Sequence, residues 1–367
     1  MIKIVHISDI HIGASFKSAS FAGEFALKRQ KEIKETFFKV LKYCDDNHID
    51  VLLISGDMFD TEFMKKSDID NVYNGLKSIK SKVFIIAGNH DPLKEDSYWN
   101  VIKDDDNIHI FGNSVTSIYD EELNLELYGH SWDSYYIEEE IFASIPKLDP
   151  TKINVLVGHG EVNKSKSKYL PINKKNLLSY GFDYIALGHI HKHEFFSDRM
   201  AYAGSLEPFD FSETGEHGFI KIELDNESIS SEFIPFSKRE FVVKEILLTG
   251  ELSEKDIYDL ISNCDSEGKK SLNLYRIILQ GRYNYQINLD KNHLKELFNE
   301  EFAYVEFKNN AKFDIDIEQI KKENSDNIIG KFIDVFSSLD LENEINRRSF
   351  EIGLEELLNA KEGYNGN

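Results

Sequence analysis

Cysteine, basic charge and long apolar runs are all scarce in this chain, and each scarcity removes a class of function. The two cysteines, Cys44 and Cys264, lie far apart and form no CxxC pair. Neither a disulfide framework nor a zinc knuckle is supported, and a reducing compartment is the natural inference. Lys and Arg number 43 against 65 Asp and Glu, for a formal net charge of -22. A general affinity for nucleic acid shows as a basic surface, so charge alone argues against DNA. Metal ions, local lysines or a partner would have to reverse that field for a phosphodiester to bind. No run approaches the roughly 18 apolar residues of a membrane span. The first strand carries Lys3, His6 and Asp9 and lacks the basic and apolar regions of a signal peptide. A cytoplasmic protein with no membrane association is expected.

What is present is organised around KVFIIAGNHD, Lys82 to Asp91. Its apolar run reads as a strand buried on both faces of a parallel sheet, breaking at a glycine before Asn89, His90 and Asp91. Those three polar residues then sit at the carboxyl edge of the sheet, where open α/β sheets place their chemistry. The same grammar recurs through the first 190 residues. IKIVHISDIHIG delivers Asp9 and His11, VLLISGDMFD delivers Asp57 and Asp60, INVLVGHG delivers His159, and YIALGHIHKH delivers His189 and His191. One such run means little, but five in order predict a site.

Helical spacing over Glu24 to Asn47 and Ile69 to Lys80 separates the first three strands into a β-α-β-α-β unit with right-handed crossovers. Short strand-like segments between Asn107 and Trp132 predict an antiparallel continuation, and Tyr136 to Ser144 a short helix. A hairpin through Asp225 and Asn226 closes a first domain, 1–240. Residues 241–320 read as a small α+β domain, and 321–367 as a helical tail of two amphipathic helices. There are no repeats and no low-complexity tract.

Asp9 and His11, two apart in extended chain, would point the same way and converge on one point. Asp57 can offer its two oxygens to different ions, Asn89 an amide oxygen, and His159, His189 and His191 imidazoles. Seven such ligands exceed the needs of one ion, whereas two ions sharing a bridging carboxylate would use them all. Two ions about 3.5–4 Å apart clamp the attacking and leaving oxygens of an in-line phosphoryl displacement. Mixed imidazole and carboxylate ligation without thiolate suits manganese, iron or zinc better than calcium.

The ordered motifs DxH, GDxxD, GNHD, GH and GHxH resemble the calcineurin-like metallophosphoesterase superfamily. The stretch YAGSLEPFDFSETGEHGF, Tyr202 to Phe219, looks more specifically like the DNA repair nucleases of the SbcD and YhaO kind. The resemblance covers residues 1 to 240 and implies a four-layered α/β sandwich of two facing sheets flanked by helices. Over 241 to 367 it rests on layout alone, a capping domain followed by helices. Carried over, it implies one divalent ion held by Asp9, His11, Asp57 and His191 and a second by Asp57, Asn89, His159 and His189. Manganese is the expected metal, with iron, zinc or magnesium as others. His90 would protonate the leaving oxygen or stabilise its charge, with Asp91 as an orienting partner. DNA is the implied substrate, cut by exonuclease and, on some substrates, endonuclease action, with docking to an ATPase of the SbcC kind and a homodimer as implied partners.

The departure is the acidity of the chain, for which Lys164, Lys166 and Lys168, with Lys174 and Lys175, offer the nearest compensation as substrate contacts. Arg199, Lys238 and Arg239 could add to it. Phe16, Phe21, Phe209 and Phe211 could stack on bases, or simply pack in the core. Asp60 and Asp91 could cap a helix or turn. His6, His48, His109 and His130 are expected in structural or surface roles, and His193 falls outside the ligand spacing. Two other functions stay open: a phosphodiesterase or phosphatase for a small nucleotide or phosphoprotein, and a non-catalytic scaffold whose metal site stabilises the fold.

Overall fold

Apolar runs between amphipathic helices build the first half of the molecule. β1 (Ile2–Ile7), α1 (Glu24–Asp46), β2 (Val51–Ser55), α2 (Lys66–Ser78), β3 (Lys82–Ile86) and β4 (Ile108–Ile110) follow one another, and the four strands pair in parallel. The second half opens with an antiparallel pair, β5 (Thr116–Asp120) and β6 (Leu125–Gly129). After it come β7 (Ile153–His159), the short β8 (Glu161–Val162) and β9 (Pro171–Ile172), α3 (Lys174–Ser179), β10 (Tyr184–Gly188), β11 (Glu194–Ser197) and β12 (Met200–Tyr202). The hairpin β13 (Gly218–Leu224) and β14 (Ile229–Pro235) returns to the first sheet, with β13 antiparallel to β1. Two six-stranded sheets result, ordered β14-β13-β1-β2-β3-β4 and β11-β12-β10-β7-β6-β5. The computed structural model describes residues 1–16, 23–60, 64–102, 105–225, 227–265, 267–314 and 316–365. Phe21 and Asn226, named above as a stacking candidate and a turn residue, lie outside them.

The sheets face one another across a shared apolar core, in which Ile4, Leu53, Phe84 and Ile220 of one meet Leu127, Val155, Tyr184 and Ala186 of the other. The outer face of the first sheet is covered by helices. α1 buries Ile33, Phe37, Val40, Leu41 and Cys44 at helical spacing, and α2 buries Ile69, Val72 and Leu76. Each such side chain contributes about 1.5–3 kcal/mol. On the other sheet Leu156, Ile185 and Leu187 pack with Leu177 of α3, Phe182 and Trp132. The architecture is the expected four-layered α/β sandwich.

Two local readings change. β4 is parallel to β3, and β6 is parallel to β7, so only the β5–β6 pair of the region 107–132 is antiparallel. The segment from Tyr136 is not a helix; a single 3₁₀ turn, Ile141–Ser144, is all that forms. The reason is a competing ladder: Ile137 N–H donates to the Lys168 carbonyl (2.9 Å), and Leu170 N–H donates to the Ile137 carbonyl (2.7 Å). A backbone committed to that bridge has no groups left for a helical turn.

Val242–Asn367 forms a second compact unit. β15 (Phe241–Leu248), α4 (Glu254–Ser262), β16 (Leu274–Tyr283), α5 (Lys291–Phe298), β17 (Tyr304–Asn309) and β18 (Lys312–Phe313) build a small sheet in which β16 is parallel to β17 and β18. Its core gathers Ile246, Ile257, Tyr275, Leu294 and Phe307. α6 (Ile317–Glu323), α7 (Ile328–Phe336) and α8 (Glu344–Asn365) share a separate cluster around Ile333, Phe350 and Leu354.

A buried ionic network ties the first unit together behind its site. Arg29 of α1, fully buried, donates to Glu32 Oε2 (2.7 Å), to Glu207 Oε2 (3.0 Å) and to the Pro208 carbonyl (3.0 Å). Arg239 Nε donates to both Glu32 oxygens, at 2.9 and 3.0 Å. Glu207 Oε1 accepts from Thr36 Oγ1 (2.5 Å) and from the Lys238 N–H (2.6 Å). Burial works to raise Glu32, but the hydrogen bonds and charges of Arg239 and Arg29 outweigh it and pull its carboxyl down to about 2. A depressed carboxyl stabilises the fold fully above its unfolded value near 4.5, and that stability is lost as pH falls toward about 2. Replacing Glu32 by Gln leaves the buried Arg239 without its carboxylate and Arg29 with Glu207 alone, and is expected to cost about 3–5 kcal/mol in urea unfolding at neutral pH. The gap between wild type and variant should narrow as pH is lowered through that window.

Candidate metal centre

The tips of five strands carry the motif residues to one edge of the sandwich. β7 and β10 run parallel with Gly188 beside His159, and β2 and β3 with Ser55 beside Ile86. The glycines before the ligands make room for this approach. A Cβ at Gly88 would lie 2.2 Å from Asp57 Oδ1, and one at Gly56, where φ is +88°, 2.5 Å from His159 Nδ1. Asp9 and His11 do not continue in extended chain as their spacing suggested. Both are left-handed at φ 49°, as are Asp57 at 50° and His189 at 104°. Asp9 N–H donates to the Gly56 carbonyl (3.1 Å) and His11 N–H to the Asp57 carbonyl (3.0 Å), which holds this costly backbone in place.

All seven expected ligands are brought together. Ligand atoms of Asp9, His11 and His191 lie within 4.8 Å of one another, as do those of Asp57, His159 and His189. Asp57 Oδ2 stands between the groups, 3.8 Å from His11 Nε2 and 3.3 Å from His159 Nε2. Asn89 Oδ1 lies 3.0 Å from both His159 Nε2 and His189 Nδ1. Both Asp9 oxygens accept the His189 N–H at 3.1 Å.

The protons that can be assigned leave lone pairs facing lone pairs. His159 Nδ1 donates to the Ser55 carbonyl (2.8 Å), so its Nε2 meets Asn89 Oδ1 and Asp57 Oδ2 as an acceptor. His191 Nδ1 donates to Glu213 Oε1 (2.7 Å), which leaves its Nε2 beside His11 Nε2 at 3.2 Å, one nitrogen of that pair donating and the other accepting. The buried acceptors opposed around His159 Nε2 require positive charge between them. Protons partly meet that demand. Burial lowers both imidazoles, yet Asp57 overrides it at His159, and Glu213 with Asp9 overrides it at His191, raising each to about 9. Asp57 is driven far below the carboxylate range, chiefly by His159, against the effect of its burial. Burial and then the His159 charge push His189 down to about 3. A pair of divalent cations answers the same demand, and imidazole, carboxylate and amide donors without thiolate fit them.

His90 stands exposed at the lip, its ring edge-on to His11 with centroids 4.8 Å apart, while its backbone N–H donates to Asp57 Oδ1 (2.8 Å). Asp60 offers a carboxylate oxygen within 4.8 Å of His11 and His90 ring nitrogens. Asp91 departs from the role of orienting His90. Its Oδ2 accepts Met58 N–H (2.8 Å) and Phe59 N–H (3.0 Å), and its Oδ1 accepts Gly88 N–H (2.7 Å). The buried carboxylate clamps the Asp57 loop to the Asn89 loop, and burial with the Asp57 charge raises it to about 7 against the pull of those donors.

The basic residues are less available than their positions suggest. Lys164, Lys166 and Lys168 are exposed on the loop after His159, but Lys164 Nζ pairs with Glu161 at 2.5 Å. Arg199 pairs with Asp183 (3.2 Å), Lys238 with Glu35 (2.9 Å), and Arg239 is buried on Glu32. Phe211 is buried against Phe241, whereas Phe209 is half-buried with its ring 5.3 Å from both His11 and His191 and stacked near Phe16.

Glu213 is the site residue that sequence reasoning missed. It sits 22 positions after His191, in no spacing that marks a ligand, and its Oε2 accepts the Phe209 N–H at 3.0 Å. A carboxylate on the far nitrogen of a ligating histidine fixes its tautomer and raises its basicity. Glu213→Ala is therefore expected to weaken binding of manganese or zinc by about 10- to 100-fold in a calorimetric titration. An unchanged affinity would reduce Glu213 to a loop tether.

Comparison with known proteins places these elements. The sequence profile of the calcineurin-like phosphoesterase family matches residues 2–193. Over 257 residues the chain is 28% identical to the uncharacterized metallophosphoesterase YhaO of Bacillus subtilis (strain 168), covering 63% of this chain and 60% of that protein. It thus spans less than two thirds of that relative's length. The crystal structure of a dimetal phosphatase from Danio rerio aligns with a TM-score of 0.37 at 12% identity, over 64% of this chain and 99% of its own. GAP50, the anchor in the inner membrane complex of Plasmodium, aligns with a TM-score of 0.39 at 13% identity, over 65% and 85%. No helix among the described residues is long and apolar enough to cross a membrane. With the family profile running through β1 to β10 and every motif that supplies the clustered ligands, the chain belongs to the calcineurin-like phosphoesterase family.

Proposed function

We propose that this chain hydrolyses phosphodiester bonds in DNA with the help of two divalent metal ions, manganese first among them, acting as an exonuclease and on some substrates as an endonuclease. The observation that carries the reading is Asp57, buried between two ligand groups with the exposed His90 beside them. Two ions so placed supply an activated water and offset charge on the attacking and leaving oxygens. Asp57 holds the two groups in register, Asp9, Asn89 and the four ligating histidines complete them, and Glu213 orients His191. His90 gives a proton to the leaving oxygen from the solvent side.

DNA is preferred over smaller substrates because the motifs resemble nucleases of the SbcD and YhaO kind, and because a second folded unit follows the sandwich. The resemblance also supports an ATPase of the SbcC kind and a second copy of the chain as partners. One observation favours the alternative of a small-nucleotide phosphodiesterase or phosphatase: net charge is -22, and Lys164, Arg199, Lys238 and Arg239 all face carboxylates.

Incubation of the purified chain with an end-labelled linear duplex and manganese separates the readings. A ladder is expected that chelator abolishes and His90→Ala slows by about 10²- to 10⁴-fold. Intact DNA with turnover of an aryl phosphodiester would move the substrate to the small-molecule class. Failure on both, with metals bound, would leave a scaffold.

A further inference from the structure

A line of aromatic rings leads from the ligand His189 to the surface. The Tyr169 ring lies 5.1 Å from that of His189 at 32°, and the Tyr136 ring lies 5.8 Å from Tyr169 at 46°. Tyr136 is 60% exposed and Tyr135 beside it 53% exposed. Single exposed aromatics are ordinary, but Tyr136 continues a chain of ring contacts from a ligand histidine, and its sequence neighbour Tyr135 is exposed as well. Each carries a cation: Lys168 Nζ is 6.0 Å from the Tyr136 ring centroid, and Lys94 Nζ is 3.7 Å above that of Tyr135.

This shelf is fixed to the loops that bear the site. The Ile137–Tyr169 bridge joins its two backbones. Glu161 N–H donates to the Tyr169 carbonyl (2.9 Å), which anchors it to the loop after His159. Leu93 N–H donates to the Trp132 carbonyl (2.7 Å), which anchors it to the loop after His90. Rigid aromatic faces held in advance lose little entropy on binding.

We infer that Tyr136, backed by Tyr169 and flanked by Lys168, is a stacking subsite for an unpaired nucleobase of the strand whose phosphate lies at the metal centre, with Tyr135 and Lys94 as its continuation. The inference rests on the nuclease reading and deepens it, because stacking requires a base freed from its complement. Charge does not make this surface: Asp133, Glu138, Glu139 and Glu140 are exposed on the same segment. Attraction to the π-face is compatible with acidic surroundings that a purely electrostatic phosphate track is not.

The test compares a labelled single-stranded oligodeoxynucleotide with an abasic strand of equal length, both carrying cleavage-resistant phosphorothioate linkages, by fluorescence anisotropy with the full chain in manganese. The wild-type chain is expected to bind the base-bearing strand about tenfold more tightly. Tyr136→Ala should erase that preference and Tyr136→Phe keep it, while Lys168→Gln weakens both strands alike. Equal binding of the two strands by the wild-type chain, a comparison that needs no variant, would overturn the subsite and leave the shelf to a peptide or a second chain. Full preference retained in a folded Tyr136→Ala would also overturn it. A mononucleotide bound as tightly as the strand, and lost with Tyr136→Ala, would support the stacking face while removing the polymer. Equal cleavage of base-bearing and abasic strands would sink the subsite and leave the nuclease reading standing.

Discussion

Opposed acceptors are the constraint on which the site depends. With its Nδ1 proton on the Ser55 carbonyl, the neutral His159 ring turns its Nε2 lone pair toward Asn89 Oδ1 at 3.0 Å and Asp57 Oδ2 at 3.3 Å, all three residues buried. Such an arrangement is unfavourable unless positive charge enters it. The surrounding structure is built to prevent its relaxation. Four ligand residues sit in left-handed backbone, glycines remove the Cβ atoms that would separate the loops, and the Asp91 carboxylate takes three backbone N–H groups to close two of those loops on each other. The strain is local, and the sandwich core bears it.

A second layer of charge lies behind the first. Arg29, Glu32, Glu207 and Arg239 bond α1 to the segment that leads to Phe209 and Glu213, and Glu213 in turn orients His191. Buried ion pairs of this kind seldom add net stability over apolar residues of the same volume, but they fix geometry, because any other placement leaves a charge unpaired. Here the segment placed in this way supplies both the carboxylate behind a ligand and the aromatic ring beside it. Much of the excess acid of the chain faces solvent, while the carboxylates that matter to the site are committed inside it.

The fold was largely legible in the sequence because its signals are local. Apolar runs at 51–54, 83–87, 155–157 and 184–187 mark strands buried on both faces, and the glycine that follows each marks where the chain must turn. The ligand set was legible for the same reason, since each member follows such a run directly. Glu213 was not, because its partner lies on a different loop and nothing in the chain between them has a period. Nor was the shelf at Tyr136, where a helical reading gave way to a ladder with Lys168 and Leu170 that no local preference foretells.

By itself the sequence determined which residue types stand at the ends of the strands, and so that imidazole, carboxylate and amide donors without thiolate would share one edge of a layered sheet. That follows from covalent order and hydrophobic periodicity alone. Only the tertiary structure decided which nitrogen of each histidine faces inward, that Asp91 closes loops, and that Arg239 is spent on Glu32 while Tyr135 and Tyr136 stay open to solvent. Tautomer, burial and pairing depend on neighbours brought close across tens or hundreds of residues, and through-space hydrogen bonds and desolvation carry no trace in local order.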